Sequence, residues 1–143
     1  MSDDEIESFF ASARKLQIAS VNADGTPHLV TMYFAPQDGA LAFWTYGKSQ
    51  KAVNLRRDPR ITCLAEDGIA YGELRGVTVY GEADLTDDLD QVTAFGMALV
   101  ARYPEVFGTD VEAMRPYVEQ QAAKRVLVRV RPKRTASWDH SKL

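Results

Sequence analysis

"YGELRGVTVYGEADL" runs from Tyr71 to Leu85, and its reading decides the fold. It reads as one long strand that carries three glycines, Gly72, Gly76 and Gly81. That is the pattern of a strand that bends at a barrel corner. The reading continues outward on both sides. Upstream, "KLQIASVN" (15–22) alternates and is closed by the turn "ADGTP". "HLVTMYFA" (28–35) returns as the second strand of a hairpin, "PQDG" turns, and "ALAFWTY" (40–46) and "RITCLAE" (60–66) follow as strands. Downstream, "KRVLVRVRP" (124–132) alternates strictly, with Val126, Val128 and Val130 on one face and Arg125, Arg129 and Arg131 on the other. The valine face is expected in the core and the arginine face in solvent by default, with a subunit contact or an extended anion groove as the alternatives. Six strands, with turn-length links in the first half, predict a mainly β (α+β) antiparallel barrel rather than a βαβ sheet.

Helical signals sit at the margins of this pattern. Residues 3–15 form a short helix that Ser2 or Asp3 can cap, with Ile6, Phe9 and Phe10 at helical spacing. Ser49 caps a second helix, Gln50 to Arg57, which stops at Asp58-Pro59. From Thr86 to about Gln121 the pattern is helical again. Thr86 is the expected cap, acids Asp87, Asp88 and Asp90 fill the first turn, and Val92, Phe95, Leu99 and Tyr103 make an apolar stripe. "YPEVFGTD" interrupts it, and a further helix covers roughly 110–122. No repeat or linker divides the chain, so residues 1–143 read as one domain.

The chain is acidic, with a formal net charge of −3, 45% apolar and 26% charged residues. Such a balance is not that of a protein built to hold nucleic acid or anionic lipid over its whole surface. Cys63 is the one cysteine, in an apolar run, which excludes a disulfide framework; with two histidines, His28 and His140, no metal site is expected. The acidic start, MSDDEIESFF, is unlike a signal peptide, and no apolar run approaches membrane-spanning length. The expectation is a cytoplasmic protein with no nucleic-acid or membrane partner.

Charge is nevertheless concentrated locally. "FWTYGKSQKAVNLRRDPRITC" (43–63) sets Lys48, Lys51, Arg56, Arg57 and Arg60 against the single acid Asp58. A strand that turns into a helix presents unpaired backbone N–H groups, which suit an anion. Ser49 adds a hydroxyl, while Lys48 and Lys51 add positive charge where a purely structural helix would prefer acids. Trp44, Thr45 and Tyr46 offer ring faces and hydrogen bonds to a flat heterocycle just before it. A planar ring joined to a phosphate suits this layout. The ordinary alternative is that the lysines are solvated and Trp44 is core; a basic helix beside aromatics can also bind single-stranded nucleic acid.

Other features carry less. His28 is a lone strand histidine, "DHSK" (139–142) is not a triad, and Cys63 lacks an activating partner. There is no Walker motif and no G-x-G-x-x-G. No catalytic acid, base or nucleophile is evident.

Three stretches, "IASVNADGTPHLVTMYF" (18–34), "LAFWTYGKSQKAVNLRRDPRITC" (41–63) and "YGELRGVTVYGEADL" (71–85), with the closing "VLVRVRPKRTASWDHSKL", resemble the pyridoxamine-5′-phosphate-oxidase-like split β-barrels of the flavin/deazaflavin oxidoreductase superfamily. The run K-A-V-N-L-R-R-D-P-R is the most specific part. The resemblance implies a six-stranded split barrel that forms a homodimer with two cofactor sites at the subunit interface. It implies that Trp44, Thr45, Tyr46, Lys48, Ser49 and Lys51 line a flavin-type site, with Lys51 on the phosphate and Arg56 near it. By position, His28, Val30, Thr31 and Met32 would lie along the ring system, and Arg75 and Trp138 would reach the site from the long strand and the tail. Members bind FMN or the deazaflavin coenzyme F420, and a few bind haem or use no flavin. The N-L-R-R-D-P-R run and the W-D-H-x-K-L tail look most like the deazaflavin-dependent branch, which implies an F420-dependent oxidoreductase passing hydride to a flat unsaturated small-molecule substrate. An FMN-dependent enzyme and a non-catalytic flavin or haem carrier, with His28 as the axial candidate, remain the alternatives.

Overall fold

The computed structural model describes all 143 residues and is built on one seven-stranded antiparallel sheet. In chain order the elements are α1 (Asp3–Ser12), β1 (Leu16–Val21), β2 (Pro27–Met32), β3 (Ala35–Gln37), β4 (Ala40–Tyr46), α2 (Gln50–Arg57), β5 (Arg60–Asp67), β6 (Arg75–Thr86), α3 (Leu89–Arg102), α4 (Pro104–Phe107), α5 (Arg115–Ala122) and β7 (Arg125–Asp139). Across the sheet the strands run β2-β1-β5-β6-β7-β4-β3. The sheet curls into a half-barrel and stays open, because β2 and β3 are edges with one neighbour each. The expected six-stranded split barrel is therefore corrected to a seven-stranded open half-barrel.

The extra strand has a local cause. The predicted strand at 28–35 breaks at Tyr33-Phe34. Phe34 is wholly buried, and its backbone meets a side chain instead of a neighbouring strand. Its N–H donates to the Tyr103 hydroxyl at 3.2 Å, and that hydroxyl lies 2.9 Å from the Phe34 carbonyl. A buried backbone pair satisfied this way leaves the ladder, and the chain changes direction. β3 then pairs with β4 before the Asp38-Gly39 turn.

Asp24-Gly25 makes the expected tight turn between β1 and β2, with the Asp24 carboxylate accepting from the Thr26 N–H and hydroxyl. β6 begins only at Arg75, since Tyr71–Glu73 form a 3₁₀ turn. The register with β7 shifts between Tyr80 and Gly81. A side chain at Gly81 would collide with the Arg131 carbonyl, so glycine is what permits the bend there. β7 reaches Asp139, well past the predicted end, because its polar tail is held by backbone pairing with β6 from Thr86↔Leu127 to Arg75↔Asp139.

α1 opens with a capping box formed by Ser2 and Glu5 and ends three residues early. α3 is capped by Asp88, not Thr86: the Asp88 carboxylate accepts from the Gln91 N–H, while Thr86 closes β6. The predicted 110–122 helix is a 3₁₀ turn at Glu112–Met114 followed by α5.

Two apolar cores result. The inner one fills the half-barrel with Phe9, Phe10, Ile18, Phe34, Phe43, Leu55, Val77 and the expected Val126, Val128 and Val130. The outer one lies between the sheet and the α3–α5 insert, where Val92, Phe95, Leu99 and Tyr103 close on Trp44 and Leu127. Fully burying each such side chain contributes about 1.5–3 kcal/mol. No helix is long and apolar enough to cross a membrane.

Candidate functional site

The site grows from the junction of β4 and α2. Ser49 caps α2 as its sequence suggests, its hydroxyl accepting from the Ala52 N–H at 3.3 Å. Thr45 is buried on the inner side of β4 and donates its hydroxyl to Ser49 at 3.1 Å. Strand alternation thus sends Thr45 to one face and Trp44 and Tyr46 to the other. Asn54, also wholly buried, anchors the helix to β1. Its amide nitrogen lies 3.2 Å from the Ser20 hydroxyl and 2.9 Å from Asn22 Oδ1, and its oxygen accepts from Gln50. A buried polar side chain with its bonds made fixes a position, here that of Lys51 one turn earlier.

Pairing of β4 with β7 sets Tyr46 opposite Arg125. The Arg125 guanidinium carbon lies 4.2 Å from the centre of the Tyr46 ring and 4.8 Å from that of Trp44. Its Nε donates to Gln121 at 3.2 Å. Arg125 is not among the predicted site residues, since solvent is the default for its strand face and an anion groove only an alternative. Only the ladder between strands some eighty residues apart reveals it. Of its face-mates, Arg129 bonds Gln37 and Gln91, and Arg131 pairs with Asp84 and Glu82.

Two cavities meet at Arg125. A cleft of about 610 Å³ is lined by Thr31, Met32 and Trp44, three predicted residues, together with Tyr33, Lys15 and side chains of the helical insert. A second lobe, about 580 Å³, is lined by Tyr46, Gly47, Lys48, Arg56, Lys124 and Asp87. Arg56 donates to the Gly47 carbonyl at 2.6 Å, which holds the loop before α2.

Several cations gather at this corner, and one of them is half-buried. No carboxylate lies within ion-pair distance of Lys48, Lys51, Arg56, Lys124 or Arg125. Asp87 lines the second lobe without pairing. Lys51 is half-buried, and its ammonium pKa is lowered, first by burial and then by the nearby Arg125 charge. A half-buried cation with no counter-ion is costly unless an anion comes from outside. The donors present fit a phosphate-bearing cofactor: Lys51, Lys48, the Ser49 cap and Arg125 would hold a phosphate, with Trp44, Thr31 and Met32 the candidates to flank a flat ring, although Lys51 and Ser49 themselves line neither of the two cavities.

The remaining predicted residues lie elsewhere. His28 and Val30 point to the inner side of β2, opposite Ser20 and Ile18. His28 Nδ1 is buried without a hydrogen-bond partner. Arg75 and Trp138 sit at the far end of the β6–β7 ribbon, where Arg75 pairs with Asp67 at 2.8 Å and Trp138 lies across Gly76. Cys63 is packing, and burial pushes its thiol up to about 12. His140 sits 2.9 Å from the Tyr71 carbonyl, and Asp139 accepts from Ser141, so "DHSK" closes a terminal turn. No group of three His, Cys, Asp or Glu side chains is placed to hold a metal ion.

Similar proteins share this frame. The solved structure of the conserved hypothetical protein Rv2991 from Mycobacterium tuberculosis matches 99% of this chain and 87% of its own, at 43% identity and a TM-score of 0.92. A structure named F420 reductase matches 91% of this chain and 94% of its own, at 27% identity and a TM-score of 0.69. HutZ, the haem storage protein from Vibrio cholerae, shares the fold at 18% identity and a TM-score of 0.67, over 96% of this chain and 93% of its own. No curated protein matches. The family description "Pyridoxamine 5′-phosphate oxidase" covers residues 2–139. With nearly every residue of its sheet and site inside that match, the chain belongs to the pyridoxamine 5′-phosphate oxidase family.

Proposed function

We propose that this protein is an oxidoreductase that works with a reduced deazaflavin, coenzyme F420, on a flat unsaturated organic substrate. The observation that carries the reading is the unpaired Lys51, half-buried beside Arg125 and the capped start of α2. Lys51 and Lys48 neutralise the phosphate. Lys124 and Arg56 continue the positive lobe beyond it, which suits the longer acidic tail of a deazaflavin better than the single phosphate of FMN. The likeness to an F420 reductase supports the same choice. Trp44, held flat by Arg125, and the Thr31–Met32 edge of β2 orient the ring and exclude water from one of its faces. When bound, a reduced deazaflavin would supply hydride to an electron-poor double bond, with the accompanying proton coming from water. We read the working form as a homodimer, since β2 is an open edge carrying Leu29, 67% exposed, beside Thr31 and Tyr33.

The test is a side-by-side titration of purified protein with coenzyme F420 and with FMN, followed by fluorescence. Tight deazaflavin binding with weak FMN binding is the expected result. The reverse order moves the protein to FMN chemistry, and binding of neither defeats the phosphate assignment.

A further inference from the structure

The cleft beside Trp44 extends past the residues a cofactor ring needs. Beyond Thr31 and Met32 it runs under the helical insert and is walled by Tyr33, Leu99, Val106, Phe107 and Tyr117. Tyr33, Val106 and Tyr117 are among the exposed large apolar side chains of the chain, at 40%, 48% and 39%, and all three face this one space. The aromatic walls are held by contacts between rings. Tyr33 leans on Tyr103 with ring centres 4.7 Å apart, and Phe107 and Tyr117 stand 6.4 Å apart across the insert. Its volume falls within the roughly 300–1,000 Å³ typical of small-molecule sites.

The charge of the lining has one sign. Lys15 and Arg125 are its only ionisable groups apart from the tyrosines, and no acid contributes. The contrast with the next residue is direct. Arg14 pairs with Glu105 of α4, which takes that acid away from the cleft, while Lys15 has no carboxylate partner. The remaining large cavities pair apolar walls with acids, as under α1, where Asp3, Glu7 and Asp38 rim Phe10 and Leu41. We propose that the chamber between β2, β4 and the α3–α5 insert is the substrate site, and that it takes a planar conjugated carboxylate: ring system against Phe107 and Tyr117, carboxylate toward Lys15. The proposal rests on the oxidoreductase reading for the word substrate, and on the chamber itself for the ligand class.

The experiment uses the full chain without cofactor and two probes, 2-naphthoate and the neutral 2-naphthalenemethanol. Calorimetry gives affinities, and the indole N–H signals of Trp44 and Trp138 report location, assigned through Trp138→Phe. The expected result is a shift of the Trp44 signal and a preference for the carboxylate of roughly tenfold or more, the worth of one charge-assisted hydrogen bond. Val106→Glu should weaken 2-naphthoate by a comparable factor, and Lys15→Gln should erase most of the preference. Both variants should keep deazaflavin affinity, and Lys51→Ala should weaken deazaflavin about 10- to 100-fold while keeping 2-naphthoate. An unmoved Trp44 signal, equal binding of the alcohol, or indifference to Val106→Glu overturns the proposal. A protein that binds 2-naphthoate and no deazaflavin overturns the cofactor reading alone; one that binds deazaflavin and no 2-naphthoate overturns this one alone.

Discussion

The β6–β7 ribbon has two ends that treat positive charge in opposite ways. At the far end and along its middle most cations have a carboxylate beside them: Arg75 with Asp67, Arg131 with Asp84, Lys133 with Glu82, and Lys142 with Glu5, while Arg134 lies over Tyr80. At the near end, where Arg125 meets β4 and α2, Lys48, Lys51, Arg56 and Lys124 have none. The acidic chain has carboxylates to spare and withholds them there. Exposed pairs contribute little stability, roughly 0–1 kcal/mol each. The far end is therefore ordinary surface, and the near end is a place where the folded protein leaves charge for something else to neutralise.

The sharpest way to break this contrast is Lys51→Ala. Loss of one charge-assisted contact should weaken deazaflavin binding about 10- to 100-fold, corresponding to about 1.5–3 kcal/mol. Stability at neutral pH should be unchanged or higher. The sign follows from the lowered pKa of Lys51. The folded state holds that proton less tightly than the unfolded chain, so the penalty is full below the lowered pKa and is relieved as pH rises through it toward the ordinary 10.5. A fluorescence titration and a denaturant melt on the same sample check both halves. By the same token, wild-type affinity for the phosphate should decline on the alkaline side before an ordinary lysine would titrate.

Next in size is Gly96→Val. Gly96 lets α3 close on Trp44; a Cβ there would stand 2.5 Å from the indole ring. Overpacking of this kind costs about 1–3 kcal/mol. Because Trp44 is also a wall of the cleft, the variant should lose both stability in urea and the Trp44 response to ligand, which joins the outer core to the near end.

Arg75→Ala tests the far end. Its pair with Asp67 is about half exposed on both sides, so the change in stability should stay under about 1 kcal/mol, and deazaflavin affinity should not move. A drop in affinity would instead show that the far end reaches a site across a subunit boundary.

The smallest effect concerns Asp58, the only acid inside the basic run. Its hydrogen bonds from Arg60 hold its carboxyl down, from 3.8 to about 2. A depressed carboxylate contributes stability above the unfolded pKa and loses it as pH falls, so the window is from about 3.8 down to about 2. Asp58→Asn should flatten the acid limb of the melting curve in that window by lowering the plateau above it, neutral pH included, and should change little below about pH 2.

Much of this was legible in the residues themselves. The caps at Ser2 and Ser49, the Asp24-Gly25 turn, the stop at Asp58-Pro59 and the valine face of β7 are decided within a few residues, so local chemistry fixes them. So is the clustering of Lys48, Ser49 and Lys51 at one helix start. The break at Phe34 was not legible, because it depends on the hydroxyl of Tyr103, far along the chain. Nor was the tail of β7, where "KRTASWD" has no apolar alternation and backbone pairing alone makes the strand. Arg125 goes to solvent by default and Lys15 is not singled out, for the same reason: neither carries a local signal.

Sequence alone thus determined an antiparallel half-buried sheet with a cationic helix start behind an aromatic strand, because capping, alternation and turn chemistry act over one to four residues. Tertiary structure alone decided which strands became neighbours, that the sheet stays open at β2 and β3, and that Arg125 stacks over Trp44 beside Lys51. Those contacts span the whole chain, and their energy comes from burial that no short window of residues contains.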